Sequence, residues 1–292
     1  MPDDTPQPDR TGHVEADGHR IWYEYFGQGD REAVCLLNGV GMHTGAWYGF
    51  LPRLRPEFDV ILYDYPGQGD STTHDVPCFI DRFGAYLTAI VDRLGIERFH
   101  LMGISYGGFV GLDYARQYQE RLHSLTISGI LLTHEVLFDM YQDISLRFYR
   151  GGPAVFELYT HYLYEKIFGE SFVRKVQDRL PRMRAGFYER WKDKVHALVR
   201  LTLAQDPFFA RLEENHAGYQ AIRTPTLLLA GAEDRTIPPW VQRKIAGILP
   251  NARFVEVPDS GHVVYIEQPD FFFESLKRLA RRKSLEGLEL PA

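Results

Sequence analysis

The sequence has little of what several protein classes depend on. Cysteine occurs only at Cys35 and Cys78 among 292 residues, so neither a disulfide framework nor a four-cysteine metal site holds the chain together. No apolar run reaches the roughly 20 residues that a bilayer-spanning helix needs. The N-terminus lacks the basic start and the apolar stretch of a secretory signal. These absences exclude a membrane span and predict a cytoplasmic protein in a reducing compartment.

Basic residues are also fewer than acidic residues. The chain carries 33 Lys and Arg against 39 Asp and Glu, a formal net charge of -6. A nucleic-acid-binding domain is usually basic overall, so the balance argues against a nucleic-acid partner and favours small molecules or proteins. The sequence contains no H-E-x-x-H, P-loop, C-x-x-C or strand-linked G-x-G-x-x-G motif, which predicts that no metal and no cofactor is needed.

What the sequence does have is a regular alternation of apolar runs and helical patterns. Continuous apolar runs predict strands, and apolar residues at helical spacing predict the helices between them. Parallel neighbours need long crossovers, so this order predicts an α/β fold with a mostly parallel central sheet and helices on both faces. The predicted strands are 21–26, 33–37, 60–63, 99–104, 122–130, 226–230 and 253–257, and the predicted helices are 79–94, 106–119, one from 238 to before 250, and 269–283.

The alternation breaks between the fifth and sixth predicted strands. Residues 133–222 contain no comparable apolar run and are rich in Phe, Tyr, Leu and Arg at helical spacing, which predicts a helical cap inserted into the α/β core. The core then consists of 12–132 and 223–283. The short polar or Pro-containing ends, 1–11 and 284–292, are predicted to be disordered tails.

One serine lies where chemistry is expected. Ser105 is in the sequence Gly-Ile-Ser-Tyr-Gly, between the predicted strand 99–104 and the predicted helix 106–119. A sharp strand-to-helix turn needs small flanking residues and exposes the serine hydroxyl above the sheet. G-x-S-x-G alone is a weak pattern, but this structural context predicts that Ser105 is a nucleophile.

A nucleophilic serine needs a base that is oriented by an acid. Of 11 histidines, His262 lies in a loop between the last predicted strand and the last predicted helix, which makes it the predicted base. Asp234 follows the strand 226–230 and would reach the same sheet edge as His262, so it is the predicted acid. Glu233 is the adjacent alternative. Asp259 is a nearer one, although its position in a turn favours a structural role.

Together these stretches resemble the α/β hydrolase superfamily over about residues 18–283. The resemblance rests on residues 38–41 (Asn-Gly-Val-Gly) with Trp47, on 64–71, on the turn at Ser105, and on the loops of Asp234 and His262. It implies an oxyanion hole formed by the backbone N–H groups of Tyr106 and Val40. It further implies a serine hydrolase that cleaves a small-molecule carboxylic ester or related acyl compound through an acyl-enzyme, with no cofactor.

The sequence departs from the family pattern at one position. The family usually has His-Gly where this chain has Asn38 and Gly39, and with 64–66 this start also resembles an acyltransferase that joins 3-hydroxyacyl chains delivered as thioesters. Residues 146–200 hold 12 basic and 6 acidic residues, a surface that would attract CoA or an acidic acyl-carrier protein. The same charges fit solvated helix faces, which is the interpretation that we favour. A non-catalytic binding protein on this fold is a third hypothesis, and Ser105 argues against relatives with an aspartate nucleophile.

Overall fold

The computed structural model describes residues 5–72 and 77–291, and eight of their strands form one sheet in the order β1-β2-β4-β3-β5-β6-β7-β8. The first two strands are antiparallel to their neighbours, and all other pairs are parallel. The predicted fold class is therefore confirmed. The strands are β1 Arg10–Ala16, β2 His19–Phe26, β3 Ala33–Leu37, β4 Asp59–Tyr63, β5 Phe99–Ile104, β6 Leu122–Ser128, β7 Thr226–Gly231 and β8 Ala252–Val257.

The central strands are buried on both faces, which explains their continuous apolar sequences. Every residue of β3 is buried. Alternate side chains enter two different clusters: Cys35 and Leu37 pack on one side of the sheet, and Val34 and Leu36 on the other. The period of two along a strand produces this division.

Helices cover the two faces. Amphipathic helix α2 and helix α3 pack with the first cluster, and helix α14 packs with the second through residues such as Phe272 and Leu276. The helices outside the β6–β7 connection are α1 Leu51–Leu54, α2 Ile80–Leu94, α3 Tyr106–Tyr118, α11 Pro239–Arg243, α12 Ile245–Ile248, α13 Val264–Glu267 and α14 Pro269–Arg282, with short 3-10 segments at Thr44–Phe50 and Gln119–Arg121. The single helix predicted from 238 is thus two short ones.

Between β6 and β7 the chain is helical, and we call these helices the cap helices. They have a buried cluster of their own, which includes Tyr159, Trp191 and Leu198. No strand interrupts residues 133–222, which the structure describes throughout. The cap helices are α4 Val136–Arg150, α5 Pro153–Ile167, α6 Glu170–Val176, α7 Leu180–Trp191, α8 Val195–Leu203, α9 Asp206–Ala210 and α10 His216–Gln220.

The strand order fixes where a site can form. Strand β4 pairs with β3 on one side, and β5, which comes later in the chain, pairs with β3 on the other side. Loops that leave β3 and β5 therefore diverge, and the crevice between them lies at the carboxyl ends of the strands. The loop after β3 begins at Asn38, and the loop after β5 is Ser105 itself.

Both predicted tails need correction. Strand β1 begins at Arg10, inside the stretch predicted as a tail, because its backbone pairs with the edge of β2 although its side chains are largely polar. Within the C-terminal stretch, Leu288 is buried, and Leu285 and Leu290 pack against the core. The stretch is too short for its sequence pattern to predict this packing. Residues 1–4 and 292 of these predictions lie outside the described residues.

The structure also shortens one predicted strand and bears on the membrane prediction. Strand β6 ends at Ser128 instead of continuing to residue 130, because Gly129 adopts a φ of +68° and turns the chain. None of the helices in the described part of the chain is long and apolar enough to cross a bilayer.

Candidate active site

Ser105 occupies a strained turn between β5 and α3. Its φ of +49° lies in the left-handed region, which residues with a side chain rarely adopt. A Cβ at Gly107 would lie 2.5 Å from the Leu37 carbonyl oxygen, and one at Gly103 would lie 2.3 Å from the Gly107 carbonyl oxygen. The two glycines thus allow strand and helix to approach closely, and the backbone strain at Ser105 is maintained by that packing.

Asp234 and His262 meet at the carboxyl edge of the sheet. Asp234 follows β7, His262 follows β8, and the imidazole Nδ1 lies 2.8 Å from the Asp234 carboxylate Oδ2. Both side chains are withdrawn from solvent, with 3% and 0% of the imidazole and carboxylate exposed. A buried carboxylate at this distance fixes the orientation of the ring.

Three further donors fix the Asp234 carboxylate. The backbone N–H groups of Thr236 and Ile237 donate to Oδ1 at 2.8 and 2.9 Å, and the Gln242 amide donates to Oδ2 at 3.0 Å. Gln242 also accepts a hydrogen bond from the Gly129 N–H at 2.9 Å. The sequence reasoning missed Gln242, and a glutamine inside a helix carries no local signal of such a role.

The two alternative carboxylates face the cap helices instead of His262. Glu233 accepts a hydrogen bond from the backbone N–H of Glu170, at the start of α6. Asp259 accepts one from the Ser171 hydroxyl at 3.0 Å and has a φ of +51°, which fits the turn role considered for it. Of the three candidate acids, Asp234 is the one in contact with the imidazole.

Ser105 and His262 are close neighbours across β6. The Ser105 N–H donates to the Ser128 carbonyl at 2.8 Å. The next residue is Gly129, where an added Cβ would lie only 2.6 Å from the imidazole Cε1. Within residues 5–72 and 77–291 no hydrogen bond joins the Ser105 hydroxyl to the ring. Catalytic hydrogen bonds of this kind are often long without substrate and tighten when it binds.

The loop after β3 presents Val40 to the same place as Ser105. The Gly39 carbonyl accepts hydrogen bonds from the Gln68 side-chain amide at 3.0 Å and from the Met42 N–H at 3.2 Å. Because the Gly39 carbonyl and the Val40 N–H belong to one planar peptide, these bonds also fix the direction of that N–H. Gln68 is fully buried and was not singled out from the sequence.

Asn38 is turned into the core below this loop. Its amide donates to the Tyr63 carbonyl at 3.0 Å and accepts from the Trp47 indole N–H at 2.7 Å. Asp64 lies beside it and accepts hydrogen bonds from the backbone N–H groups of Thr44 and Asp70, at 2.8 and 3.1 Å. Burial raises the pKa of Asp64 to about 7. Asn38 and Asp64 therefore brace the loop from behind.

A small pocket adjoins Ser105, Val40 and Tyr106 between the sheet edge and the cap helices. It encloses about 40 Å³ of free space, and α4 and the end of α8 complete its wall. Tyr106 is the first residue of α3, so its backbone N–H has no acceptor within the helix. Two peptide N–H groups from different loops thus flank the serine. In the described part of the chain no three His, Cys, Asp or Glu side chains cluster as a metal site would require.

Comparisons with known proteins agree with this architecture. The sequence model of the α/β hydrolase fold family matches residues 32–269. A relative from Azorhizobium caulinodans, which carries the provisional name carbamate hydrolase RutD, is 27% identical over 262 residues, covering 88% of this chain and 93% of its own length.

Two solved structures have the same fold. One is MGS-M2, an α/β hydrolase from a Medee basin deep-sea metagenome library, with a TM-score of 0.82, 22% identity and coverage of 91% of this chain and 95% of its own. The other is a thermophilic esterase from Thermogutta terrifontis, with a TM-score of 0.77, 23% identity and coverage of 95% and 99%. That these similar proteins are named as hydrolases agrees with the expectation of an enzyme.

Proposed function

Because the chain belongs to the α/β hydrolase fold family, we propose that it is a cofactor-independent serine hydrolase that cleaves a carboxylic ester or a related acyl compound. One observation carries the proposal. Ser105 lies on a strained turn that lines a pocket, its N–H is bonded to the end of β6, and the next residue there, Gly129, lies against the imidazole of a buried His262–Asp234 pair at the same edge of the sheet. This is the arrangement that activates a serine hydroxyl for attack on a carbonyl.

In the first half-reaction the Ser105 hydroxyl oxygen attacks the substrate carbonyl carbon while its proton passes to Nε2 of His262. Asp234 holds the proton on Nδ1 and so keeps Nε2 free to accept. The tetrahedral oxyanion accepts hydrogen bonds from the backbone N–H groups of Val40 and Tyr106. Collapse breaks the bond to the leaving alcohol, which takes the proton from His262 and leaves Ser105 acylated.

Water completes the cycle. His262 removes a proton from a water molecule, whose oxygen attacks the acyl carbonyl, and the second tetrahedral intermediate uses the same two N–H groups. When it collapses, Ser105 regains its proton from His262 and the carboxylic acid leaves. A carbamate carbonyl is open to the same attack, and the name of the A. caulinodans relative is the reason to include carbamates among the substrates tested.

Labelling by a fluorophosphonate, followed by intact-mass analysis, tests the proposal directly. We expect one adduct on the wild-type protein, none on Ser105→Ala, and a turnover of aryl esters by that variant that is several orders of magnitude lower. Ser128→Ala is the matched control, since Ser128 lies beside the turn but contributes its backbone carbonyl, which the substitution keeps. An unlabelled wild-type protein would favour the non-catalytic binding hypothesis and overturn the proposal.

Acyl transfer is a separate outcome that product analysis decides. Asn38 points into the core and does not line the pocket beside Ser105. Three basic side chains of 146–200 form ion pairs on exposed helix faces, Arg147–Asp143, Arg174–Glu170 and Lys192–Glu189, as expected for solvated faces. These contacts support hydrolysis over transfer from CoA or a carrier protein. Mass spectrometry with 3-hydroxyacyl-CoA should give free acid, and an ester-linked dimer of two acyl chains would reverse the preference.

A further inference from the structure

The wall that the cap helices contribute to the pocket includes Phe138 but also several polar side chains. Along α4 the residues Tyr141, Gln142, Ser145 and Tyr149 face the pocket at helical spacing. Thr202, near the end of α8, and Gln205, which precedes α9, add polar groups that a pocket for a plain alkyl chain would not require.

The side-chain amide nitrogen of Gln142 has no use within the protein. It is shielded from solvent, and no acceptor for it exists among the described residues. An unpaired buried amide is costly, and nearly all such groups in folded proteins find a partner. Since Gln142 lines the pocket, a ligand bound there can accept this hydrogen bond.

The remaining polar groups of this wall are neutral. Burial raises the pKa of the Tyr141 and Tyr149 phenols, so both stay protonated at physiological pH. No Lys, Arg, Asp or Glu side chain belongs to the pocket lining within the described residues. A carboxylate placed here would lose its hydration without gaining a cation, whereas a neutral carbonyl, amide or hydroxyl would gain hydrogen bonds.

The size of the pocket limits the rest of the substrate. Its free volume of about 40 Å³ is small beside the ~150 Å³ of a cavity that holds benzene, which favours a compact acyl group. We propose that the enzyme selects a compact acyl group that carries a neutral hydrogen-bonding group recognised by Gln142 and the polar side chains of α4 and α8. This inference rests on the proposed hydrolase function and names the acyl class that it serves.

Three ethyl esters of nearly equal shape test the inference. Ethyl malonamate carries a terminal neutral amide, ethyl hydrogen malonate a carboxylate, and ethyl 3-methylbutanoate two methyl groups at the same place. Each kcat/KM is divided by the rate constant for hydroxide-catalysed hydrolysis of the same ester, which removes differences in intrinsic reactivity. We expect the malonamate to exceed the 3-methylbutanoate by about tenfold or more, the effect of one well-made hydrogen bond, and the hydrogen malonate to be the slowest.

Gln142→Leu is the decisive variant. It should remove most of the preference for malonamate and leave the normalised rate for 3-methylbutanoate within about threefold. It should also leave the ligand-free protein as stable or more stable, because it removes an unpaired buried amide. A purely structural role for Gln142 would instead lower stability and slow all three esters together. Gln177→Leu, an exposed glutamine that follows α6, is the matched control.

The outcomes separate this inference from the proposed function. Labelling of Ser105 by a fluorophosphonate together with equal normalised rates for malonamate and 3-methylbutanoate would overturn the inference and leave the hydrolase standing. Labelling without malonamate turnover would overturn it as well. Absence of both labelling and turnover would overturn the proposed function and, with it, this substrate class.

Discussion

Replacing Asp234 by asparagine tests the site at its most constrained point. The side chain of Asp234 is fully buried and accepts four hydrogen bonds, two on each carboxylate oxygen. An asparagine of the same shape keeps the two bonds from the backbone N–H groups of Thr236 and Ile237. Its NH2 group then faces the other two donors, His262 Nδ1 and the Gln242 amide, at 2.8 and 3.0 Å.

Gln242 cannot turn its amide to relieve this conflict. Its nitrogen also donates to the Ile237 carbonyl at 2.7 Å, and its oxygen accepts from the Gly129 N–H at 2.9 Å, so a flip would break both bonds. The imidazole of His262 must therefore change tautomer, with Nδ1 accepting from the asparagine and the proton on Nε2. In that tautomer Nε2 cannot take the proton of Ser105.

The expected changes in stability and in kcat follow from these hydrogen bonds. The bond from the Gln242 amide is lost and the bond with His262 becomes one between neutral groups, so we expect a loss of about 1.5–3 kcal/mol of unfolding free energy, the contribution of one hydrogen bond to a charged group. The wrong tautomer should lower kcat by about four orders of magnitude, with little change in KM. Urea denaturation measures the first effect. Aryl-ester turnover and the rate of fluorophosphonate labelling measure the second.

Two isosteric variants serve as controls. Glu233→Gln and Asp259→Asn alter carboxylates that bind the start of α6, so both should keep kcat within a few-fold of the wild type. If Asp234→Asn retained more than about a tenth of the wild-type kcat, against the loss expected for a wrong tautomer, the assignment of Asp234 would be refuted. A severe loss in either control would move the role to that residue.

Three further predictions address the support of the site. Gln68→Met removes the side-chain hydrogen bond to the Gly39 carbonyl and should lower kcat by about tenfold or more at similar KM. The loss should be smaller for thionoesters, because their sulfur accepts hydrogen bonds from an oxyanion hole poorly. Gly107→Ala should destabilise the fold in urea denaturation because its Cβ would meet backbone oxygens, whereas Gly186→Ala, with open space in α7, should stabilise it by about 1 kcal/mol. Because burial raises the folded-state pKa of Asp64 from 3.8 to about 7, the folded state binds this proton more tightly than the unfolded state. Unfolding free energy should therefore fall as pH rises between those values, by up to about 1.4 kcal/mol per pH unit, and Asp64→Asn should flatten the slope.

The sequence predicted those parts of the fold that depend on local pattern. Every residue of β3 and β5 is buried, and apart from His100 neither strand has a polar side chain, because both of their faces are covered; that composition is visible without coordinates. Strand β1 was missed because its polar side chains resemble a tail, and only the exposed backbone of β2 makes it a strand. Its pairing is a property of the edge of the sheet and not of residues 10–16 alone.

The candidate site divides in the same way. Ser105, Asp234 and His262 could be named because each follows a strand, and parallel strands bring their carboxyl ends to one edge; their catalytic roles stay predictions until the variants are measured. Gln242 and Gln68 could not be named, since each acts through a contact with a loop distant in sequence. From the sequence alone, a buried glutamine cannot be distinguished from a surface residue of a helix or turn.

We expect the choice between water and an alcohol as acyl acceptor to depend on the cap and not on the loop of Asn38. The backbone N–H of His262 donates to the Ile167 carbonyl at 2.8 Å, and Glu267 accepts from the N–H groups of Gly169 and of Gly261 beside the base, at 2.9 and 3.0 Å. The junction of α5 and α6 is thereby bonded to the loop that carries the base. An acceptor too large to enter without opening the cap must break these bonds, whereas water is small enough to need no such opening, and we expect this difference in size to favour hydrolysis.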